Sequence, residues 1–177
     1  MSTDNIKRII GFKCFNKGLI NQHGVKFHPN KIHKVNGEVV FGNSGNGYHF
    51  CKDIENTLRY FHVDADQIDL CKVEGSGDIK TSNDEYNGYF DMYVASELKV
   101  VSILSFDDIL SEVNNMCVDR FIRFIQSYPL DKHIFMDLVN QKFANNFHIK
   151  ERINKHYSYY QEGNEDAFGI IKNKVKS

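Results

Sequence analysis

The chain of 177 residues carries 22 Lys and Arg against 23 Asp and Glu, which gives a formal net charge of −1. Its hydrophobic share of 41% and aromatic share of 13% are typical of a chain with a packed core, and they argue against a disordered or coiled-coil protein. The balanced, interspersed charge gives no strong signal for binding nucleic acid or an anionic membrane.

Targeting and redox signals predict an intracellular protein. The sequence contains no apolar run long enough for a signal peptide or a transmembrane segment. Its four cysteines are scattered without a C-x-x-C pair, which is typical of thiols in a reducing compartment rather than of a disulfide framework. They are Cys14, Cys51, Cys71 and Cys117.

A first strand is predicted at residues 6–15, where apolar positions recur until a polar segment with glycine interrupts them at 16–18. The segment 31–41 then predicts a β-hairpin. Its two alternating runs are joined by Asn36-Gly37, and both residues of such a turn must accept positive φ.

A glycine-rich hinge at 42–47 is predicted to lead into a short strand at 48–51 and a helix at 53–61, with Asp53 as the helix N-cap. Side chains alternate along a strand. The alternation places Tyr48 and Phe50 on one face, and His49 and Cys51 on the other. A polar pair of this kind at the end of a strand is a candidate site.

Further strands are predicted at 68–74, 89–94 and 98–104, with a glycine-rich break at 75–77 and, after it, residues 78–81 as a candidate continuation of the sheet. From Ser105, an N-cap residue, the apolar period changes from strand-like to helical, which predicts helices at 105–128, 131–145, 149–160 and 165–175. We therefore predict an α+β fold. It has a twisted, mostly antiparallel sheet with one helix in a domain of residues 1–104, and a helical region of residues 105–177 packed on that domain.

Three histidines recur five residues apart and could be combined with nearby cysteines into a zinc site. Such sites usually also contain a tight Cys pair, and none is present, so no metal is expected. Cys51 precedes a predicted helix N-terminus, where a thiol can be activated, but a half-buried thiol is the simpler interpretation. The residues considered for zinc are His23, His28, His33, Cys14, His49 and Cys51.

The segments 13–19 and 47–51, with the amphipathic helix that follows, resemble a small domain of unknown function found in phage and giant-virus proteins. The resemblance covers residues 8–104 and implies a viral origin without an established activity. The leading hypothesis is a viral accessory protein without catalysis. It would contact a host or viral protein in the host cytoplasm or the virion, since its many aromatic residues suit interfaces.

A second resemblance is to the NAD-binding core of ADP-ribosyltransferases of the poly-ADP-ribose polymerase type, a family with a split sheet. It is carried by the order of the segments 45–50, 70–79 and 96–100. The family's Tyr falls on His49 and its Glu on Glu97, while its His falls on Lys13 or Cys14. The resemblance implies an enzyme that uses NAD, with Glu97 and His49 as catalytic residues and Lys13, Gly47 and Tyr48 as cofactor-binding residues. Without it, no cofactor is expected.

Overall fold

An antiparallel sheet organises the first of two compact units. The computed structural model describes residues 8–42, 45–57, 67–82, 92–128 and 132–155. The units divide after Glu112, with Met1–Glu112 in the first and Val113–Ser177 in the second. All strands lie in the first unit, and the regular elements described in the second are helices. The predicted combination of an antiparallel sheet with helices is confirmed.

Five strands and five helices occur in the described residues. The strands are β1 (Ile9–Asn16), β2 (Ile32–Lys34), β3 (Tyr48–Cys51), β4 (Ile68–Thr81) and β5 (Met92–Ile103). The helices are α1 (Ile54–Thr57), α2 (Phe106–Asn114), α3 (Val118–Ser127), α4 (Lys132–Lys142) and α5 (147–155). Within those described ranges, no helix combines the length and the apolar character needed to cross a membrane.

The sheet closes on itself into a small barrel. One edge of β5 pairs with β3 and with β2, and the other edge pairs with β4. β4 pairs in turn with β1, and β1 with β3, always antiparallel. Register shifts along the β4–β5 pairing, between Lys72 and Val73 and between Ser76 and Ile79, help these long strands to bend. The closed ring differs from the split sheet that the second resemblance implied.

Aromatic and aliphatic side chains fill the interior of the barrel. Phe15, Phe27, Phe50 and Leu98 are buried and belong to one core cluster. The space is so limited that a Cβ atom at Gly75 would lie 2.4 Å from Cζ of Phe50. The ring of Phe50 therefore occupies the volume that a side chain at Gly75 would need.

The predicted hairpin at 31–41 is wrong. Its first half forms β2, but β2 pairs with β5, and residues 38–41 form no strand. Gly37 has the positive φ, 90°, that the turn signature requires. However, the side-chain amide of Asn46 donates hydrogen bonds of 2.8 and 3.0 Å to the carbonyl oxygens of Asn36 and Glu38. Contacts between distant residues thus replace the local pairing.

Two interruptions predicted in the sheet do not occur. β4 continues through the glycine-rich segment 75–77 to Thr81, because Gly77 adopts a φ of 75° beside the register shift and lets the strand bend without ending. The strands predicted at 89–94 and 98–104 are one strand, β5, whose central residues pair on both edges. Residues 89–91 lie outside the described ranges.

The strands predicted at 6–15 and 48–51 are confirmed as β1 and β3. Tyr48 and Phe50 pack with the core cluster of the barrel, as their alternation predicted. The helix predicted at 53–61 begins as α1, and its residues 58–61 lie outside the described part of the chain.

Ser105 is the N-cap of α2, as predicted. The Asp108 backbone N–H donates to the Ser105 hydroxyl at 3.1 Å, and the Ser105 backbone N–H donates to the Asp108 carboxylate at 2.8 Å, in the reciprocal pattern of a capping box. The single helix predicted from this cap to residue 128 is wrong, because α2 ends at Asn114 and α3 begins at Val118. Cys117, with φ −70° and ψ 169°, is extended between them. The helix predicted at 165–175 lies outside the described residues.

Replacing Gly75 by alanine is expected to destabilise the barrel by about 1–3 kcal/mol, because the added Cβ would meet the ring of Phe50. Urea denaturation followed by tyrosine fluorescence measures the loss. In the Gly75→Ala/Phe50→Leu double variant, the shorter side chain lacks the atom in conflict, so we expect part of the stability to return. Simple addition of the two single losses would show that the clash is not the cause.

Candidate functional site

A gap between β1 and β3 opens the barrel on one side. The two strands are paired at Phe12 and Cys51, and beyond this pair they separate. A cavity of about 580 Å³ occupies the gap, a volume typical of ligand pockets. Its walls include Phe27 and Phe50 from the core cluster. They also include Cys14, which lies on the face of β1 opposite to the core residue Phe15. The cavity therefore extends into the core of the barrel.

Lys13 extends across this gap. It points to the same face of β1 as Phe15, and its Nζ lies 5.6 Å from the centroid of that ring. The amine donates a hydrogen bond of 2.6 Å to the backbone carbonyl oxygen of His49 on β3. The side chain as a whole is half-buried, whereas the amine at its end is enclosed. This desolvation lowers the pKa of Lys13 from 10.5 to about 8, against smaller opposing effects of the Cys51 and Cys14 thiols.

No carboxylate accompanies this amine. The described residues that line the cavity include neither Asp nor Glu, and Lys13 forms no ion pair with any described residue. A lysine ammonium has three N–H donors, and the contact with His49 uses one of them. The cavity thus combines apolar walls with an ammonium group whose hydrogen-bonding capacity is only partly used.

His49 lies beside this amine as a neutral side chain. Its Nε2 accepts a hydrogen bond of 3.3 Å from the backbone N–H of Gly42, and the Phe41 ring meets the imidazole edge-on at a centroid distance of 5.7 Å. Burial, and secondarily the charge of Lys13, lowers the pKa of His49 from 6.5 to about 4. Because Nε2 is an acceptor, the ring proton lies on Nδ1. The imidazole therefore adds no positive charge to the site at neutral pH.

Two loops, each braced by an asparagine, form the rim of the cavity. In the first loop, the side-chain oxygen of Asn21 accepts hydrogen bonds of 3.0 and 2.8 Å from the backbone N–H groups of His23 and Val25. In the second, Asn46 holds the carbonyls of residues 36 and 38, and its own carbonyl accepts a 2.8 Å bond from the Val40 N–H. Such bonds fix the loop backbones without a ligand.

Each rim loop also carries an exposed valine. Val25 is 52% exposed and Val40 is 43% exposed. Isolated apolar residues on a surface are ordinary, and neither valine is among the residues that line the cavity.

Neither asparagine was predicted as a site residue. Asn21 precedes Gly24 in a short polar connection, a pattern typical of a side-chain-stabilised turn, and this local signal could have identified it. Asn46 acts on residues eight and ten positions earlier, and no spacing rule predicts that contact. The first rim loop was therefore predictable from sequence and the second was not.

The cysteine and histidine residues show no arrangement for metal binding or for thiol chemistry at Cys14. Burial raises the pKa of the Cys14 and Cys71 thiols to about 12, so they stay protonated at neutral pH. Cys51 is also buried. All four cysteines of the sequence are described, and none forms a disulfide bond with another. Among the residues that the structure describes, no three His, Cys, Asp or Glu side chains cluster closely enough to hold a metal ion.

Four of the five residues that the ADP-ribosyltransferase resemblance singled out come together at the cavity. Gly47 joins the second rim loop to β3 with a positive φ of 124°. A Cβ atom at Gly47 would lie 2.5 Å from the side chain of Val94. The four cavity residues are Lys13, Gly47, Tyr48 and His49.

The fifth residue, Glu97, lies elsewhere on the barrel. Its carboxylate forms an ion pair with Lys34 of β2 and accepts a hydrogen bond of 2.8 Å from the Ser76 hydroxyl of β4. The bond from Lys34, followed by that from Ser76, lowers the pKa of Glu97. Glu97 is thus engaged between strands and is not among the residues that line the cavity.

Comparison with known proteins places the barrel in a family. The model of a family described as a domain of unknown function, DUF7666, matches residues 9–112. The uncharacterized protein MJ1292 of Methanocaldococcus jannaschii is 26% identical over 178 residues, covering 81% of this chain and 32% of the relative, so the chain spans about a third of that protein's length. No solved structure matches the chain. The expected domain of unknown function is confirmed, and its phage or giant-virus origin stays a prediction.

Lys13→Met is expected to stabilise the protein at neutral pH, since methionine fills a similar volume without an enclosed charge. A pKa lowered from 10.5 to about 8 means that the unfolded chain binds this proton more tightly than the folded one. The gain is therefore on the order of 1–3 kcal/mol below pH 8, and it shrinks as the wild type regains stability between pH 8 and 10.5. Thermal melts across this range measure it.

Lys72→Met on β4 is the matched control, because Lys72 is half-buried and is not a cavity residue. We expect this control to change stability by no more than about 0.5 kcal/mol. A Lys13→Met variant that is less stable than the wild type at every pH would contradict the buried-charge argument.

Acid is expected to weaken the barrel through His49. As the pH falls from 6.5 towards 4, the unfolded chain gains a proton that the folded imidazole does not accept, so stability decreases. With partial solvent screening the loss is on the order of 1–2 kcal/mol. His49→Gln keeps an acceptor for Gly42 but does not titrate, and its urea midpoint should depend less on pH in this window. The exposed His148 supplies the control variant, His148→Gln. If the urea midpoints of the wild type and of His49→Gln changed in parallel with pH, His49 would not be the group responsible.

Proposed function

Because the chain belongs to the family described as domain of unknown function DUF7666, through residues 9–112 that contain the barrel and its cavity, we propose that this domain is a non-catalytic binding module. Its cavity receives an apolar segment of a partner protein. The proposal concerns the domain alone, since the archaeal relative is much longer than the chain.

The observation that carries the proposal is the cavity between two braced loops, with Phe12, Phe27, Phe41 and Phe50 in its walls. A volume of about 580 Å³ accommodates one or two large side chains. Loops that are already fixed by hydrogen bonds lose little conformational entropy on binding. Buried apolar anchors in such pockets supply most of the affinity of protein interfaces.

The nature of the partner follows from the first resemblance. If the domain serves as a viral accessory protein, the partner is a host or viral protein in the host cytoplasm or the virion. Binding of nucleic acid gains no support from the charge, which is −1 for the whole chain.

A second function is favoured by one observation, the convergence of Lys13, Gly47, Tyr48 and His49 on the cavity. In that alternative the domain is an ADP-ribosyltransferase, or an inactive relative, that binds NAD and modifies a host macromolecule. Glu97 would then have to reach the ribose beside His49. We place this function second because Glu97 is held by Lys34 and Ser76.

Selection of displayed peptides on the full chain is expected to enrich sequences with a large apolar anchor. Gln22→Asp puts a charge on an exposed residue that lines the cavity, and we expect it to weaken binding of the selected peptides by at least about tenfold. Gln67→Asp is the matched control, because Gln67 is also exposed and does not line the cavity. Titration calorimetry measures the affinities.

Peptides that bind the Gln22→Asp variant as well as the wild type, or the absence of any enriched sequence, would sink the proposal. A parallel titration with NAD, followed by a labelled-NAD transfer assay on wild type and Glu97→Gln, tests the alternative. Transfer that depends on Glu97 would establish the enzyme in place of the binding module.

A further inference from the structure

We infer that the cavity binds its ligand through a carboxylate, held by the ammonium group of Lys13, with the apolar part of the ligand along the aromatic walls. The inference names the ligand chemistry of the proposed binding cavity and rests on that cavity being a binding site. It adds an anionic recognition element that an apolar pocket alone does not have.

The ammonium group of Lys13 is enclosed, and its one described hydrogen bond goes to the carbonyl oxygen of His49. Among the described residues, no acceptor engages its other two N–H donors. Burial of the amine lowers the pKa of Lys13. A ligand carboxylate would supply both the missing acceptors and the missing negative charge, and charge-assisted hydrogen bonds of this kind are strong.

The charge of the ligand follows from the cavity lining. Lys13 is the one Lys or Arg among the described residues that line the cavity, and the neighbouring His49 is neutral, as its low pKa requires. The lining also includes His23 and the uncharged polar residues Asn21, Gln22, Thr57 and Ser82, so Lys13 supplies the one lysine or arginine charge, which matches a monoanion. A phosphate dianion would leave one of its charges buried without a partner, which is costly. The cavity therefore suits a carboxylate better than a phosphate.

The charge and several apolar side chains belong to one cavity. The ammonium lies between β1 and β3, at the backbone of His49, and Phe12, Phe41 and Met92 line the same cavity. In the inferred complex the carboxylate lies at the ammonium and the hydrocarbon part of the ligand lies along these side chains. Two ligands share this chemistry: a free apolar acid, and the C-terminal carboxylate of a protein chain that ends in apolar residues.

The experiment compares acids with amides of the same shape. Octanoate is titrated against octanamide, and N-acetyl-leucyl-leucine against its C-terminal amide, by calorimetry on the full chain. We expect at least one acid to bind at least about tenfold more tightly than its amide. We also expect Lys13→Met to abolish that preference and Lys72→Met to preserve it. Preference for octanoate alone identifies a free acid as the ligand, and preference for the dipeptide acid identifies a chain terminus.

The pH dependence gives a readout that needs no variant. Only the protonated amine attracts a carboxylate, so the preference for the acid should decline as the pH rises above about 8, the pKa of Lys13 in the free protein. Equal binding of acid and amide, or a preference that survives in Lys13→Met, would overturn the inference and leave the proposed binding module intact. Failure of all four compounds to bind would overturn the inference, whereas the binding module itself is decided by the peptide selection.

Discussion

The ring of Phe50 above Gly75 sets the width of the barrel, and the opening of the barrel follows from that constraint. A Cβ atom at Gly75 would lie 2.4 Å from Cζ of Phe50, and one at Gly11 would lie 2.4 Å from the carbonyl oxygen of Cys51. β1 and β3 thus cross closely at one point, next to their paired residues Phe12 and Cys51. Strands that converge so tightly in a twisted, closed sheet diverge beyond the crossing. The cavity occupies the space that this divergence leaves.

Lys13 occupies this gap in a way that costs stability. Where the ladder between β1 and β3 is missing, its amine donates one hydrogen bond to a backbone carbonyl oxygen of β3, and the desolvated charge is not balanced by a described carboxylate. An apolar residue of the same length would fill the same volume without that penalty. Residues that oppose folding in this manner are common in binding sites, because a site prepared for a ligand is incomplete without it.

Local signals predicted the parts of the fold that depend on neighbouring residues. The Ser105 cap and the alternation of Tyr48 and Phe50 were correct because their interactions lie within a few positions of the chain. The hairpin at Asn36-Gly37 was wrong because β2 pairs with β5, a strand more than 60 residues later in the chain. The resemblance to ADP-ribosyltransferases singled out four residues that line the cavity. It did not predict the position of Glu97, which depends on how the sheet closes.

His49 accepts two hydrogen bonds, one from Lys13 at its backbone carbonyl and one from the second rim loop at its side chain. The side-chain bond favours the neutral imidazole. Its backbone carbonyl accepts the hydrogen bond of Lys13, while its Nε2 accepts the backbone N–H of Gly42 in the second rim loop. A protonated imidazole would lose that acceptor and would add a second positive charge beside the ammonium. The neutral ring is therefore the form that keeps the rim loop attached to β3 and leaves Lys13 as the charged group available to an anion.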